Sequence, residues 1–186
     1  MKIGVISDTH LREPSPELKR IVLAHFTDVD MILHAGDFVD LRIVDFFRRW
    51  NLIAVSGNMD PGEVRSLLPG KRIIDVSGFK IGLIHGWGSP LGLEKRVKGE
   101  FPPLDCLVYG HTHHAVNHNT RGLHLFNPGS ATRSFTGPTP SASFPWEKRS
   151  KGRSSTFSLF RQAPMCRMVC HKWLSLPHGY RILSAE

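Results

Sequence analysis

Five short apolar runs in this chain end in the same way. Val5-Ile6 closes on Ser7-Asp8-Thr9-His10, Met31–Leu33 on His34-Ala35-Gly36-Asp37, and Leu52–Val55 on Ser56-Gly57-Asn58-Met59-Asp60. Phe79–Ile84 closes on His85-Gly86, and Asp105–Tyr109 on Gly110-His111-Thr112-His113. Apolar runs of this length bounded by glycine read as buried strands. A carboxylate, amide or imidazole just past such a strand sits where open α/β sheets bind ligands. In Asp8-x-His10 a one-residue spacer places both side chains on the same side of an extended backbone. A chain patterned this way must gather its strands so that their carboxyl ends share one rim.

The stretches between the runs fix the class. Ser15-Pro16 is a helix start, a capping hydroxyl followed by proline at the first helical position, and Leu18, Ile21, Val22 and His25 share one face beyond it. Asp40 is placed to cap a second helix running to Trp50, with Ile43, Phe46 and Phe47 as its stripe. Strand, helix, strand, helix, strand reads as parallel α/β with right-handed crossovers. The pattern then changes. Arg72–Val76 and Phe79–Ile84 flank Ser77-Gly78 as a tight hairpin, Pro90–Val97 is expected to be helical, and Ala115–His118 with Leu123–Phe126 form a further hairpin. Two sheets feeding one rim are expected.

The chain of 186 residues is long enough for a core of its own, and one domain is expected. No run of 18 apolar residues occurs, and the amino-terminal stretch, with one lysine and an apolar run that meets Asp8, is not a secretory signal, so a cytoplasmic location is the expectation. Cys106, Cys166 and Cys170 are odd in number and do not form a disulfide framework. The net charge of +8 is unevenly spread. Through Gly137, 16 Lys and Arg stand against 14 Asp and Glu; beyond it, 8 stand against 2. The body is nearly neutral, which argues against nucleic acid as its partner.

Carboxylate, imidazole and amide oxygen make a mixed donor set that suits Mn, Fe, Zn, Co or Ni better than Ca or Mg. Asp8, His10, Asp37, Asn58, His85, His111 and His113 outnumber what one ion takes up, and two ions sharing a carboxylate fit the count. Paired ions about 3.5–4 Å apart serve phosphatases and nucleases, where they sharpen a water and screen phosphate charge. His34 is read as core or support for the Gly36-Asp37 turn, and His114 as surface. Ser130, in the turn Asn127-Pro128-Gly129-Ser130, is either a weak substrate contact or a structural residue; Trp87 either lines the pocket or packs.

Taken in order, Asp8-Thr9-His10, Gly36-Asp37, Gly57-Asn58-Met59-Asp60, His85-Gly86 and Gly110-His111-Thr112-His113 resemble the calcineurin-like metallophosphoesterase superfamily, in particular its small phosphodiesterases related to the retromer subunit VPS29. The resemblance covers residues 1 to 137. It implies a four-layer α/β/β/α sandwich of two mixed sheets, with the metals at the strand carboxyl ends. It further implies one ion held by Asp8, His10, Asp37 and His113, and another by Asp37, Asn58, His85 and His111, Asp37 bridging. Manganese leads among the ions, with nickel, iron, cobalt or zinc as alternatives. The reaction implied is in-line attack of metal-bound hydroxide on a small or nucleotide-like phosphodiester, with Asn58 also orienting the phosphate. Many relatives carry a histidine after that asparagine as general acid. Met59 stands there instead and cannot donate a proton, so esters with acidic leaving groups are expected to turn over best, and Asp60, a weak catalytic candidate, has no histidine to orient and is left to hold its loop.

Past Gly137 the family's ending is not recognisable. Pro138–Ser155 is rich in Ser, Pro, Lys and Arg, with no strand period. Read two bases later with a choice of permitted codons, Pro140–Ser155 can give an alternating strand pair like the family's ending. Residues 138–186 are therefore expected to be a basic tail that is disordered or out of frame, and their loss of the final strands to leave the second sheet with an open edge. Two rival functions stand beside the phosphodiesterase: a non-catalytic scaffold like VPS29, and a nuclease using the basic tail. A homodimer is a further expectation.

Overall fold

The computed structural model describes residues 1–132 and the backbone of residues 155–162 and 165–172. Expectations for 138–154 and 173–186 lie outside the described residues. The first sheet has the order β3-β2-β1-β10-β9, formed by β1 (Lys2–Ile6), β2 (Met31–His34), β3 (Leu52–Ala54), β9 (Ser155–Gln162) and β10 (Met165–Lys172). The second has the order β4-β5-β6-β8-β7, formed by β4 (Lys71–Val76), β5 (Phe79–Ile84), β6 (Cys106–Val108), β7 (Val116–Thr120) and β8 (Leu123–Asn127). Both are mixed: β1, β2 and β3 run parallel while β10 is antiparallel to β1, and β5, β6 and β8 run parallel between antiparallel β4 and β7.

Alternation along the strands builds the layers. Ile3 and Val5 of β1, Leu33 of β2, Ile81 and Leu83 of β5 and Val108 of β6 meet between the sheets. Ile6 and Ile32 face the other way, against α1 (Pro16–His25) and α2 (Leu41–Phe47), with Val64 of α3 (Gly62–Leu67) in the same cluster. Leu107, Tyr109 and Leu125 turn outward from the second sheet onto Leu93 and Val97 of α4 (Leu93–Lys98). The result is the expected helix–sheet–sheet–helix stack. No described helix is long and apolar enough to cross a membrane.

Local chemistry explains the element ends. Ser15 caps α1, its hydroxyl accepting from the Leu18 amide at 3.1 Å, with Pro16 next. Asp40 caps α2, accepting from the Arg42 amide at 2.9 Å. That helix stops at Phe47, short of the expected Trp50, and the Trp50 amide closes a turn onto Phe47. Helix α4 starts at Leu93, later than the expected Pro90, because Gly92 before it lies at φ 72°, outside helical backbone. The hairpin β9–β10 borders β1 of the first sheet, whereas the expectation had the final strands edging the second. The parallel order β3-β2-β1 leaves one side of β1 free to take an antiparallel neighbour.

Candidate metal centre

Each predicted donor leaves a strand end within a few residues, and all seven converge. Asp8 and His10 follow β1, Asp37 follows β2, Asn58 follows β3, His85 follows β5, and His111 and His113 follow β6. The backbone route differs from the expected extended one. Asp8, His10, Asp37, His111 and His113 all have left-handed backbone, at φ 54°, 44°, 59°, 70° and 58°. Outside glycine such angles are uncommon, and they cluster at functional sites where surrounding structure holds them.

One group forms around Asp8. Its Oδ1 lies 3.2 Å from His113 Nε2 and 3.7 Å from His10 Nε2, and the two imidazole nitrogens are 3.0 Å apart. A second forms around Asn58, whose Oδ1 lies 3.1 Å from His85 Nε2 and 2.9 Å from His111 Nδ1. Asp37 Oδ2 stands between them, 3.6 Å from His10 Nε2 and 3.2 Å from His85 Nε2. Atoms about 2.1 Å from a common ion are about 3.0 Å apart at a right angle and about 3.4 Å apart at the tetrahedral angle. The spacings match donor atoms waiting on cations.

Hydrogen bonding around the donors gives the same answer. Asp8 is fully buried; its Oδ2 takes the Ser7 hydroxyl at 2.5 Å and the His111 amide at 3.2 Å, while its Oδ1 has no hydrogen-bond partner. A buried carboxylate oxygen without a partner is costly unless a cation meets it. His85 Nδ1 donates to the Ala35 carbonyl at 2.7 Å, and His111 Nε2 to the Gly88 carbonyl at 2.7 Å. The remaining nitrogen of each ring then presents a lone pair toward the Asn58 carbonyl oxygen, an acceptor facing acceptors, which a metal ion resolves. Burial works against a charged Asp8, yet the neighbouring imidazoles of His10, His113 and His85 and the Ser7 hydroxyl outweigh it and hold its carboxyl well below the usual range. His85 is raised despite burial, by the adjacent carboxylates of Asp37 and Asp8, and His113 is raised chiefly by the Asp8 carboxylate beside it. The field of the carboxylates draws in positive charge. The residues present fit divalent metal.

Supporting groups hold this geometry. Asp60, 1 % exposed, accepts from the amides of Gly57 (2.7 Å), Asp37 (3.2 Å) and Val39 (2.7 Å), so it joins the loops after β2 and β3 rather than holding its own alone. Asp37 Oδ1 takes the Met59 amide at 2.8 Å, leaving Oδ2 for the centre. His34 is buried and stacked on Phe38 with centroids 3.6 Å apart; its Nδ1 accepts from the Gly36 amide, and burial pushes its pKa down to about 3. A Cβ on Gly57 would collide with the Asp37 carboxylate, and one on Gly110 with the Ser7 hydroxyl and Asp8. Glycine is needed there for close approach to the donors.

The Ser130 hydroxyl lies 2.9 Å from the Asp8 carbonyl and 2.8 Å from that of Thr132, engaged with main chain behind the site. Asn127 donates to the Gly110 carbonyl at 2.8 Å and accepts from Gly129, tying the turn to the His111–His113 loop. Sequence reasoning missed the roles of Ser7 and Asn127; the only signal for Ser7 was adjacency to Asp8, and for Asn127 its place at the head of the Asn-Pro-Gly-Ser turn. His114 is exposed, as expected, and His118 lies 3.6 Å from Glu94, away from the centre. Trp87 is 43 % exposed beside the centre, and Met59 is 59 % exposed.

Comparison with known proteins agrees with this geometry. Residues 1–144 match the family model described as the calcineurin-like phosphoesterase superfamily domain. A probable metallophosphoesterase of Methanocaldococcus jannaschii is 42% identical over 136 residues, covering 71% of this chain and 69% of that protein. A protein named phosphodiesterase from the same organism is 32% identical over 151 residues, covering 74% and 88%. Among solved structures, vacuolar protein sorting 29 of Cryptosporidium parvum aligns with a TM-score of 0.59 at 25% identity, covering 73% of this chain and 77% of that one. With its fold, its donor cluster and its sequence in agreement, the chain belongs to the calcineurin-like phosphoesterase superfamily and is a metallophosphoesterase, a phosphoric ester hydrolase.

Proposed function

We propose that the protein is a binuclear metal-dependent phosphodiesterase that hydrolyses small or nucleotide-like phosphodiesters through in-line attack of water at phosphorus. The observation that carries this reading is the position of Asp37 Oδ2, within 3.6 Å of His10 Nε2 on one side and 3.2 Å of His85 Nε2 on the other, one carboxylate serving two donor groups. Asp8, His10, Asp37 and His113 would hold one ion and Asp37, Asn58, His85 and His111 the other. When bound, two such ions supply an activated water and screen the negative charge of the phosphoryl group. Manganese is the first ion to test, then nickel, iron, cobalt and zinc. The relative named as a phosphodiesterase supports the diester as substrate.

The chain's own residues set the rest. Asn58 turns its carbonyl oxygen to His85 and His111, which leaves the amide nitrogen free to donate to a phosphoryl oxygen. Met59 offers no proton to the departing oxygen. General-acid help is worth about 10²–10⁴-fold, so turnover depends on leaving groups that depart as anions. The likeness to vacuolar protein sorting 29 supports the alternative of a scaffold that binds a protein partner. A cytoplasmic homodimer acting on small molecules, with no nucleic-acid or membrane partner, completes the proposal.

Metal analysis together with hydrolysis of bis(p-nitrophenyl) phosphate tests it. The expected result is two ions per chain and hydrolysis that chelation abolishes and manganese restores. A chain that takes up no metal and stays inert supports the scaffold instead.

A further inference from the structure

An open cleft of about 610 Å³ runs away from the metal centre, with Asn58 and His85 on its inner wall and Arg65, Lys71, Trp87 and Glu100 along it. Its charges are unequal. Lys71 is spent on Glu100, 2.7 Å away. Arg65 donates to the Asn58 main-chain carbonyl at 2.8 Å, and among the described residues no carboxylate pairs with it. An uncompensated guanidinium is thus tethered to the backbone of the residue proposed to orient the phosphate.

Trp87 lines the same cleft with 43 % of its surface open to water. The loop that carries it is firmly held. Arg96 of α4 donates to the main-chain carbonyls of Trp87 at 3.0 Å, Leu91 at 2.9 Å and also Ser89. His111 fixes the Gly88 carbonyl from the other side. An indole presented by an anchored loop loses little freedom when a flat ring settles on it, and aromatic rings and guanidinium groups are the two side-chain types that recognise nucleotides without reading sequence.

We propose that this cleft is the recognition subsite for the leaving arm of the substrate, and that the substrate class is a nucleotide ester whose base lies against Trp87 and whose additional phosphate charge is met by Arg65. The inference rests on the phosphodiesterase reading and narrows it.

Calorimetric titration of the manganese-loaded full chain with adenosine 5′-monophosphate and with ribose 5-phosphate tests the base; the two differ only in that group. The nucleotide is expected to bind about tenfold tighter or more, as stacking on an aromatic side chain provides. Trp87→Leu is expected to erase the difference and Trp87→Phe to keep it. Arg65→Gln is expected to narrow the advantage of adenosine 5′-diphosphate over the monophosphate. Equal binding of the first two probes by the unaltered protein, or a preference that survives Trp87→Leu, overturns the subsite. If bis(p-nitrophenyl) phosphate is still hydrolysed in that case, the subsite falls alone. If the metal-loaded chain neither binds the probes nor hydrolyses the diester, the phosphodiesterase reading falls and takes the subsite with it.

Discussion

The carboxylate of Asp60 accepts a hydrogen bond from the backbone amide of Asp37 at 3.2 Å, although the two residues follow different strands. The same oxygen takes the Gly57 amide. An asparagine at 60 offers only one acceptor oxygen and turns amide hydrogens toward a backbone donor. Asp60→Asn is expected to destabilise the fold by about 2–3 kcal/mol and to weaken metal binding by about 10- to 100-fold. Thermal unfolding and metal titration read the two effects. A variant with native stability and affinity would show that the loops hold without Asp60.

Gly57→Ala pushes a methyl group into the Asp37 carboxylate. Neither backbone there can retreat without moving a donor. Metal-dependent hydrolysis is expected to fall by at least about 10²-fold while the secondary structure, read by circular dichroism, is retained.

His34 contributes a pH dependence of definite sign. Burial holds its pKa at about 3 against an ordinary 6.5, so the folded protein keeps it neutral while the unfolded chain takes up a proton below 6.5. Its contribution to stability is complete above pH 6.5 and is lost as the pH falls from there toward about 3. His34→Asn keeps an acceptor for the Gly36 amide but cannot titrate. Urea unfolding of the metal-free proteins is expected to show the native chain ahead at pH 7 by about 1 kcal/mol, for the ring contact with Phe38, and the order reversing at pH 5, where protonation of the unfolded chain takes back about 2 kcal/mol. A gap that is the same at both values speaks against a buried neutral His34.

Met59 is exposed next to Asn58, so a histidine there meets no packing obstacle. Met59→His is expected to raise hydrolysis of alkyl phosphodiesters by about 10²-fold and to leave p-nitrophenyl esters nearly unchanged, because only the poorer leaving group needs the proton. Parallel kinetics on the two ester types decide it.

Residues 138–186 are proposed to be read out of frame. Resequencing the coding DNA is expected to reveal a single-base change near Pro138 that restores an alternating strand pair, and the corrected chain is expected to melt higher than the present one. Should no single-base change yield such a pair, the tail is genuine. Deleting the tail altogether uncovers the side of β1 that pairs with β10 from Lys2 to Val5, and the shortened chain is expected to aggregate by light scattering.

The sequence carried the site further than it carried the fold's margins. Aspartate, asparagine or histidine at five strand ends, beside glycine at four of them, left few arrangements other than one shared rim. Ser15-Pro16 and Asp40 announced their helices because a capping oxygen acts within its own turn. Helix α3 was not foreseen: Pro61 caps it without a side-chain hydrogen bond, and Val64 is its single buried residue. The partner of β10 was equally hidden, since register between strands so far apart in sequence leaves no local trace. The roles of Ser7 and Asn127, and the reach of Asp60 to the loop after β2, emerged only with distances in hand, because a residue that positions a donor carries no chemical signature of its own.

The left-handed backbone at Asp8, His10, Asp37, His111 and His113 places two filters on any future substitution. Aspartate and histidine are among the few side chains that tolerate such angles, and they are also hard or borderline donors for divalent ions. Conformation and coordination therefore select the same small alphabet at these positions. Glutamate, which preserves the charge of Asp8 or Asp37, satisfies one filter and offends the other, so a replacement that looks conservative on paper should be among the worst tolerated in practice.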